Sequence, residues 1–451
     1  MTQTGRKDLI EEIQATTNWL EFADRFVKNY GVYYDPYKLW WFWDSKEYCW
    51  EIVDDITVLN LVDKALNDQP KTLQSNIKSQ IVEALKRRGR LCKPKDPKPT
   101  WIQFKDKIID VETGETFPST TEYFFVNPIP WSLGEIEDTP EMAKIFGEWV
   151  ENKDIENEQE REEQKAKDVE LLFEILAYCL ASEYFIHDII CFTGSGSNGK
   201  SKYQDLINKF VGERNACSVE LDLLMENRFE SSKLYKKLVC TMGETNFNTM
   251  RRTSKIKRLT GQDRVGFEFK NKNSFDDTNY AKIIIGTNTL PVSEDKTRGF
   301  YRRWLPIRFP NEFPPDQNVL ERIPKEEYNN LSRKCVRLLK NLRQQRKFTN
   351  EPTIDEKTKI YEEQSNPINT FISENYVKDH NGKIPLFVFH DEYCVFLDKR
   401  GYRKQSKNEV KKSLMNDGYE IDTENTTDKA GNPTKWVFIY GVRQKNGLEA
   451  F

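Results

Sequence analysis

The run Gly194-Ser195-Gly196-Ser197-Asn198-Gly199-Lys200-Ser201 satisfies G-x-x-x-x-G-K-[ST] at every defined position. Residues of these types at this spacing bind phosphate. Glycines let successive backbone N–H groups converge on phosphate oxygens, and the N-terminus of the following helix adds positive potential. Lys200 reaches the outer phosphates, and the Ser201 hydroxyl is suited to ligate Mg²⁺. The context fits, because an apolar strand, Ile189 to Thr193, runs into the loop. A helix predicted over Lys202 to Val211 leaves it, with Leu206, Ile207, Phe210 and Val211 on its apolar side. A Gly/Ser surface turn would not need both neighbours, so the run is read as a nucleotide site.

A nucleotide site is common to kinases, GTPases, ABC proteins and motors, and the residues downstream narrow the choice. The apolar run Leu238 to Met242 is followed by Gly243 and Glu244, a carboxylate that could polarise an attacking water or hold Mg²⁺. A second apolar run, Ile283 to Thr287, ends in Asn288, an amide suited to sensing a γ-phosphate. Arg298, Arg302 and Arg303 follow within a short stretch and are candidates for an arginine finger supplied across a subunit interface.

These side chains need a scaffold that gathers strand ends. Five short β-like runs, at 188–193, 216–219, 238–242, 282–287 and 305–309, alternate with helical ones, which predicts an α/β unit with a mostly parallel sheet. Upstream, helical patterns at 7–29, 58–66 and 73–85 flank an aromatic hairpin at 39–50. A basic connector at 86–98 leads to short strands at 101–128, and the charged stretch 151–167 reads as a solvated helix or a flexible insert. Downstream lie a basic helix at 326–346 and a small unit at 367–451. The expected division is 1–167, 168–350 and 351–451, in keeping with about three domains for 451 residues.

Composition excludes other classes. The 69 basic and 72 acidic side chains leave a charge of -3, so no overall basic excess argues for nucleic-acid binding. Binding then depends on local charge, which gathers at 86–98, 270–272 and 399–412. No apolar run reaches the length of a membrane span, no signal peptide is visible, and the eight cysteines include no Cys-x-x-Cys pair. The expected setting is the cytoplasm, that of a host if the chain is viral or plasmid-borne, with reduced thiols and no membrane partner. His187, His380 and His390 are too dispersed for a metal site.

In order and text, these motifs resemble a superfamily-3 (AAA+) helicase of the type found in poxvirus D5-like NTPases and phage or plasmid primase–helicases. The matching text is the loop at 194–201, Met-Gly-Glu-Thr at 242–245 and Lys-Arg-Leu-Thr-Gly-Gln-Asp at 257–263. Ile-Gly-Thr-Asn-Thr-Leu-Pro at 285–291 and Gly-Phe-Tyr-Arg-Arg-Trp-Leu-Pro-Ile-Arg-Phe at 299–309 complete it. Phe104 to Gly114 resembles the family's helicase-associated domain. The resemblance implies an AAA+ P-loop core in a homo-hexameric ring with ATP and Mg²⁺ between subunits. An α+β helicase-associated domain precedes that core and a winged-helix-like domain follows it. It makes Lys200 and Ser201 the phosphate and Mg²⁺ residues, Glu244 the Walker-B acid, Asn288 the sensor, and Arg303, together with Arg302, the trans-acting finger. Many Walker-B strands end in two acids, whereas Gly243 stands before Glu244 here, which leaves the Mg²⁺ ligand open.

Two further segments bear on DNA. Val265 to Phe275 reads as a hairpin with a Lys-Asn-Lys-Asn tip, and in the family a hairpin here enters the ring channel. Lys270 and Lys272 would then meet the phosphates of single-stranded DNA and Phe275 would pack or stack, the rival being an ordinary solvated turn. In the C-terminal unit, helix–helix–hairpin order places Arg403, Lys404, Lys407, Lys411 and Lys412 on or beside a recognition helix, the rival being a solvated face of a protein-interaction module. Trp40, Trp41 and Trp43 are expected in a core rather than stacked on bases. No histidine precedes His187, and the N-terminal region has no paired-acid strand, so no primer synthesis is expected and a separate primase or polymerase becomes a possible partner.

The expected activity is ATP-dependent translocation on single-stranded DNA and unwinding of forked duplexes in replication of a virus, plasmid or mobile element. An initiator or loader without processive unwinding, and a protein-remodelling NTPase, are the alternatives.

Overall fold

In a computed structural model, the structure describes residues 19–66, 75–194, 196–243, 250, 253–316, 318–400, 402, 404–427 and 433–445. The N-terminal part pairs helices Trp19–Tyr30, Asp55–Leu66 and Ser75–Gly89 with an antiparallel sheet of β1 (Val32–Tyr34), β2 (Trp40–Asp44) and β3 (Cys49–Val53). The aromatic hairpin forms as expected, with Trp43 opposite Trp50. Side chains alternate faces along a strand. Trp40 and Phe42 accordingly pack on the three helices, while Trp41 and Trp50 turn to the parallel-sheet unit. Both faces are covered, so the tryptophan-rich run is core: Trp40 is 1% exposed and Trp41 2%. A second antiparallel sheet, β4 (Trp101–Gln103), β5 (Ile108–Asp110) and β6 (Thr116–Phe117), sends Ile102 and Ile109 into the core beneath the helices that follow.

The charged stretch before residue 168 is the first half of one continuous helix, Glu158–Tyr178, capped by Asn157, which accepts from Glu160 N. Its first half is largely solvated, and Leu171 onward is buried. The expected boundary at 167/168 falls inside it.

The central sheet contains β7 (Ile189–Thr193), β8 (Ala216–Ser218), β9 (Val239–Met242), then, after a hairpin of β10 (Arg264–Phe267) and β11 (Phe275–Thr278), β12 (Lys282–Thr287) and β13 (Trp304–Arg308). Its order is β13-β7-β12-β9-β8, all parallel. Every residue of β7 and β12 is buried, as strands covered by helices on both faces require. After β7 the chain crosses to the far edge at β8 and works back, and β13 then adds on the other side. The ends of β7 and β12 therefore border a topological switch point, where open α/β sheets form their ligand crevice.

Helix Ile354–Ser365, opened by a capping box from Thr353 and Glu356, packs on β13 rather than on the C-terminal core. The unit with its own core runs Pro367–Asn375, β14 (Tyr376–Pro385), Leu386–Lys399, Lys407–Asn416, β15 (Ile421–Thr427) and β16 (Pro433–Gln444), with sheet order β14-β16-β15. The two expected helices and the hairpin are present. Strand β14 went unread because Lys-Asp-His-Asn-Gly-Lys, at 378–383, lacks the apolar alternation of a half-buried strand. Among the described residues no helix is long and apolar enough to cross a membrane, and all eight cysteines are free thiols.

Candidate nucleotide site

The glycine-rich loop leaves β7 at the switch point and feeds helix Lys200–Val211. Two of its glycines are required sterically. At Gly199, the N-cap with φ +95°, a Cβ would lie 2.7 Å from the Trp149 ring; at Gly194 it would lie 2.1 Å from Asn198 Nδ2 and 2.5 Å from the Phe309 carbonyl. A Cβ on Gly196 would meet nothing within 4 Å, so the middle of the loop opens onto space. Asn198, 2% exposed, donates from Nδ2 to Phe309 O at 3.2 Å and locks the loop to the exit of β13.

Lys200 is 7% exposed, and its ammonium donates to Gly194 O at 2.7 Å and to Asn288 Oδ1 at 3.2 Å. Residues 88 positions apart thus meet because β7 and β12 are neighbours in register, Thr287 beside Thr193. Ser201 lies exposed in the first helical turn at the mouth of the same cavity. Strand β9 ends at Met242, paired with Ile285 of β12, and the Met242 carbonyl accepts from Gln204 Nε2 at 2.9 Å. Ser195 and Glu244 lie outside the described residues.

The cavity in front of the loop has a volume of about 590 Å³, within the range of sites that enclose a nucleotide-sized ligand. One wall is the loop with Thr287 and Asn288; the other carries the apolar Trp149, Phe313, Pro314, Pro315 and Val319, with the charged Glu148, Asp316 and Arg322 around them. The second wall is fixed by Phe313 N, which donates to Ser197 O at 2.8 Å. Sequence reading missed this wall, although the Phe-Pro-Pro at 313–315 just after β13 was a visible signal for a rigid apolar turn. A polar cradle facing an apolar wall suits a phosphorylated ligand with a flat ring. The cradle fits Mg²⁺ as well: the Ser201 hydroxyl is a hard oxygen donor, and Glu244, two residues beyond β9, would supply a carboxylate.

The arginines lie at the other end of the sheet, since Trp304 of β13 pairs with Ile189 at the start of β7. Arg303 is 8% exposed and bonds within its own chain, from Nε to Thr260 Oγ1 at 3.0 Å and also to the carbonyls of Gly299 and Lys257. Burial, with Arg302 beside it, pushes its pKa down from the usual guanidinium value. In this conformation Arg303 is held inside its own fold and does not present a guanidinium to a neighbour. Arg302 is exposed, as is Arg298, which lies 3.8 Å from Asp355. His187 is half-buried between these arginines, and burial pulls its pKa down.

The expected hairpin is present as β10 and β11, joined through Lys270 to Asn273. Its tip does not stand free. Phe275, 8% exposed, stacks on Tyr37 at 3.9 Å between ring centroids, and Lys272 donates to Lys38 O at 3.3 Å and lies 3.8 Å from Asp55. Phe275 is thus core, not a base-stacking platform, and Lys270 is the exposed lysine of the pair. In the C-terminal unit Lys407 and Lys412 are exposed on helix Lys407–Asn416, Lys411 is half-buried, and Lys404 pairs with Asp398 at 2.9 Å. Arg403 lies outside the described residues.

Residues 22–154 match the family model described as "D5 N terminal like", and residues 192–303 match a family of unknown function (DUF5906). The chain therefore carries a D5 N-terminal-like region ahead of its parallel-sheet unit. Two solved structures that overlap most of the chain are an A-form apo structure and a further apo structure of the NrS-1 C terminal region. Each is 17% identical, covering 94% and 95% of this chain and 98% and 100% of the other, at TM-score 0.48. That overlap is too loose to carry residue roles across.

Proposed function

We propose that this protein is an ATP-hydrolysing motor of the superfamily-3 (AAA+) helicase type, acting as a ring on single-stranded and forked DNA during replication of a virus, plasmid or mobile element. The observation that carries the reading is the placement of Lys200, held between a loop carbonyl and the strand-end amide of Asn288 at the mouth of a 590 Å³ cavity. The interposition of β12 between β7 and β9 supports it, because it sets two strand ends, and two kinds of side chain, beside one phosphate loop. The D5 N-terminal-like match supports the replication setting.

In this reading Lys200 exchanges the Gly194 and Asn288 acceptors for phosphate oxygens, and the loop N–H groups take the remaining charge. Asn288, released from Lys200, orients toward the terminal phosphate. Ser201 and Glu244 would hold Mg²⁺, which supplies charge neutralisation between phosphates, and Glu244 would also orient the attacking water. Trp149 and Phe313 enclose the base and exclude water. The trans-acting guanidinium goes to Arg302, which is exposed, with Arg303 buttressing it from inside the fold. The helix–strand–helix–helix–strand–strand order of 367–444 supports a winged-helix unit that offers Lys407 and Lys411 to duplex DNA.

One observation favours the loader or initiator alternative: the β10–β11 tip is docked on the N-terminal sheet through Tyr37 and Lys38, not free to follow a strand. Purified protein is tested for Mg²⁺-dependent ATP hydrolysis with and without single-stranded DNA and for strand displacement on a fork. DNA-stimulated hydrolysis with displacement is expected. Hydrolysis without displacement favours the loader, and absence of hydrolysis overturns the proposal.

A further inference from the structure

Helix Ile354–Ser365 joins the root of the phosphate loop, the segment after β12 and the C-terminal unit. In its first turn Lys357, 1% exposed, donates to Asp188 Oδ1 at 2.8 Å, to Glu351 Oε1 at 2.7 Å and to the Arg302 carbonyl at 3.1 Å. One turn later Tyr361 donates to Pro291 O at 2.6 Å, just past the strand that ends in Asn288, and its ring packs edge-on to Trp304. In the last turn Gln364 donates from Nε2 to Thr193 Oγ1 at 3.3 Å, at the root of the phosphate loop, and its carbonyl accepts from Leu290 N. The helix also reaches the C-terminal unit: Glu363 lies 2.6 Å from Arg400 Nε and accepts from the Tyr402 hydroxyl at 3.4 Å.

We propose that this helix couples duplex-DNA binding by the C-terminal unit to nucleotide affinity at the phosphate loop, with Lys357 and Gln364 as positioning residues and Glu363–Arg400 as the joint. The inference rests on the functional reading above and adds its regulation. A 12-residue helix moves as a rod about 18 Å long. Lys357 is tied to the buried Asp188 and the half-buried Glu351, so the rod does not slip at that end without leaving a buried charge unpaired. A ligand that shifts Arg400 therefore shifts Glu363 about that anchored end, and with it the contacts of Gln364 to Thr193 and Leu290. The rod is thus an element whose position both sites bias, which is what coupling requires.

Linkage supplies the test. In the full chain, affinity for a fluorescent non-hydrolysable ATP analogue is measured with and without saturating duplex DNA, and affinity for the DNA with and without saturating analogue. The same factor must appear in both directions, and we expect about fivefold or more. Glu363→Gln should bring the factor to about one while each ligand alone binds within about twofold of the parent. The exchange of Glu363→Arg with Arg400→Glu should restore it, which a merely structural contact would not do. A factor of one in the parent, an unchanged factor in Glu363→Gln, or no restoration in the exchange variant overturns the inference. A parent that binds neither ligand overturns the functional reading instead.

Discussion

Replacing Lys200 with alanine is the most direct perturbation of the site. The residue is 7% exposed and, among the described residues, its ammonium donates to Gly194 O and Asn288 Oδ1. In the proposed reading these bonds give way to at least two to phosphate oxygens, each charge-assisted and worth about 1.5–3 kcal/mol. Losing two such bonds removes about 3–6 kcal/mol from the transition state, or about 10²–10⁴ in kcat/KM at roughly 1.4 kcal/mol per decade. The fold should lose little, because Asn288 borders the open cavity and can bond water, which leaves the buried Gly194 carbonyl as the acceptor that loses its donor. Steady-state phosphate release with Mg²⁺ and ATP measures the rate, analogue titration measures binding, and a thermal melt checks the fold. A loss below about tenfold with the melt unchanged would refute the reasoning, since Lys200 would then contact no transferring charge.

Two further outcomes follow from the geometry. Lys357→Met strands the Asp188 carboxylate, 4% exposed, and should cost about 3–5 kcal/mol of stability. Burial already raises the Asp188 pKa, and Lys357 is the largest influence opposing that rise. An acid with a raised folded value favours the native state at low pH and loses that contribution as pH climbs toward the folded value. The deficit in denaturant midpoint should therefore widen from pH 5 to pH 8, and a pH-independent deficit would contradict the assignment. The arginines should separate by type of defect: Arg303→Ala leaves Thr260 and two carbonyls without their donor and should lower the melting temperature. Arg302→Ala should leave stability within about 0.5 kcal/mol, yet abolish ATPase, and mixing it with Lys200→Ala subunits should restore part of the rate. Failure of confirmed mixed rings to complement would remove Arg302 from the finger role.

Much of the site was legible because its parts are local. Eight consecutive residues, 194–201, form the loop, and each flanking element announces itself by an uninterrupted apolar run or a helical period. All five central strands lie within two residues of their expected ends; for β7, β9 and β12 the reason is that a strand buried on both faces needs continuous apolar residues. Strand β14 escaped because its polar middle sits at a register shift, and its two paired ends are held by β16, far along the chain, as in Tyr376 with Gln444 and Pro385 with Phe438.

By itself, then, the sequence determined where the glycine-rich loop lies and the α/β texture, because backbone geometry and strand-end position follow from neighbours along the chain. The tertiary structure decided what each side chain faces. It set Trp149 and Phe313 against the loop, drew Arg303 inward while leaving Arg302 at the surface, and laid the β10–β11 hairpin on Tyr37 and Lys38 through Phe275 and Lys272. It also threaded Lys357 to Asp188 and laid the helix 354–365 on the parallel-sheet unit. The physical reason is common to all of these. Period and spacing tell that a face is buried or a charge is present, but the partner comes from packing between segments far apart in the chain.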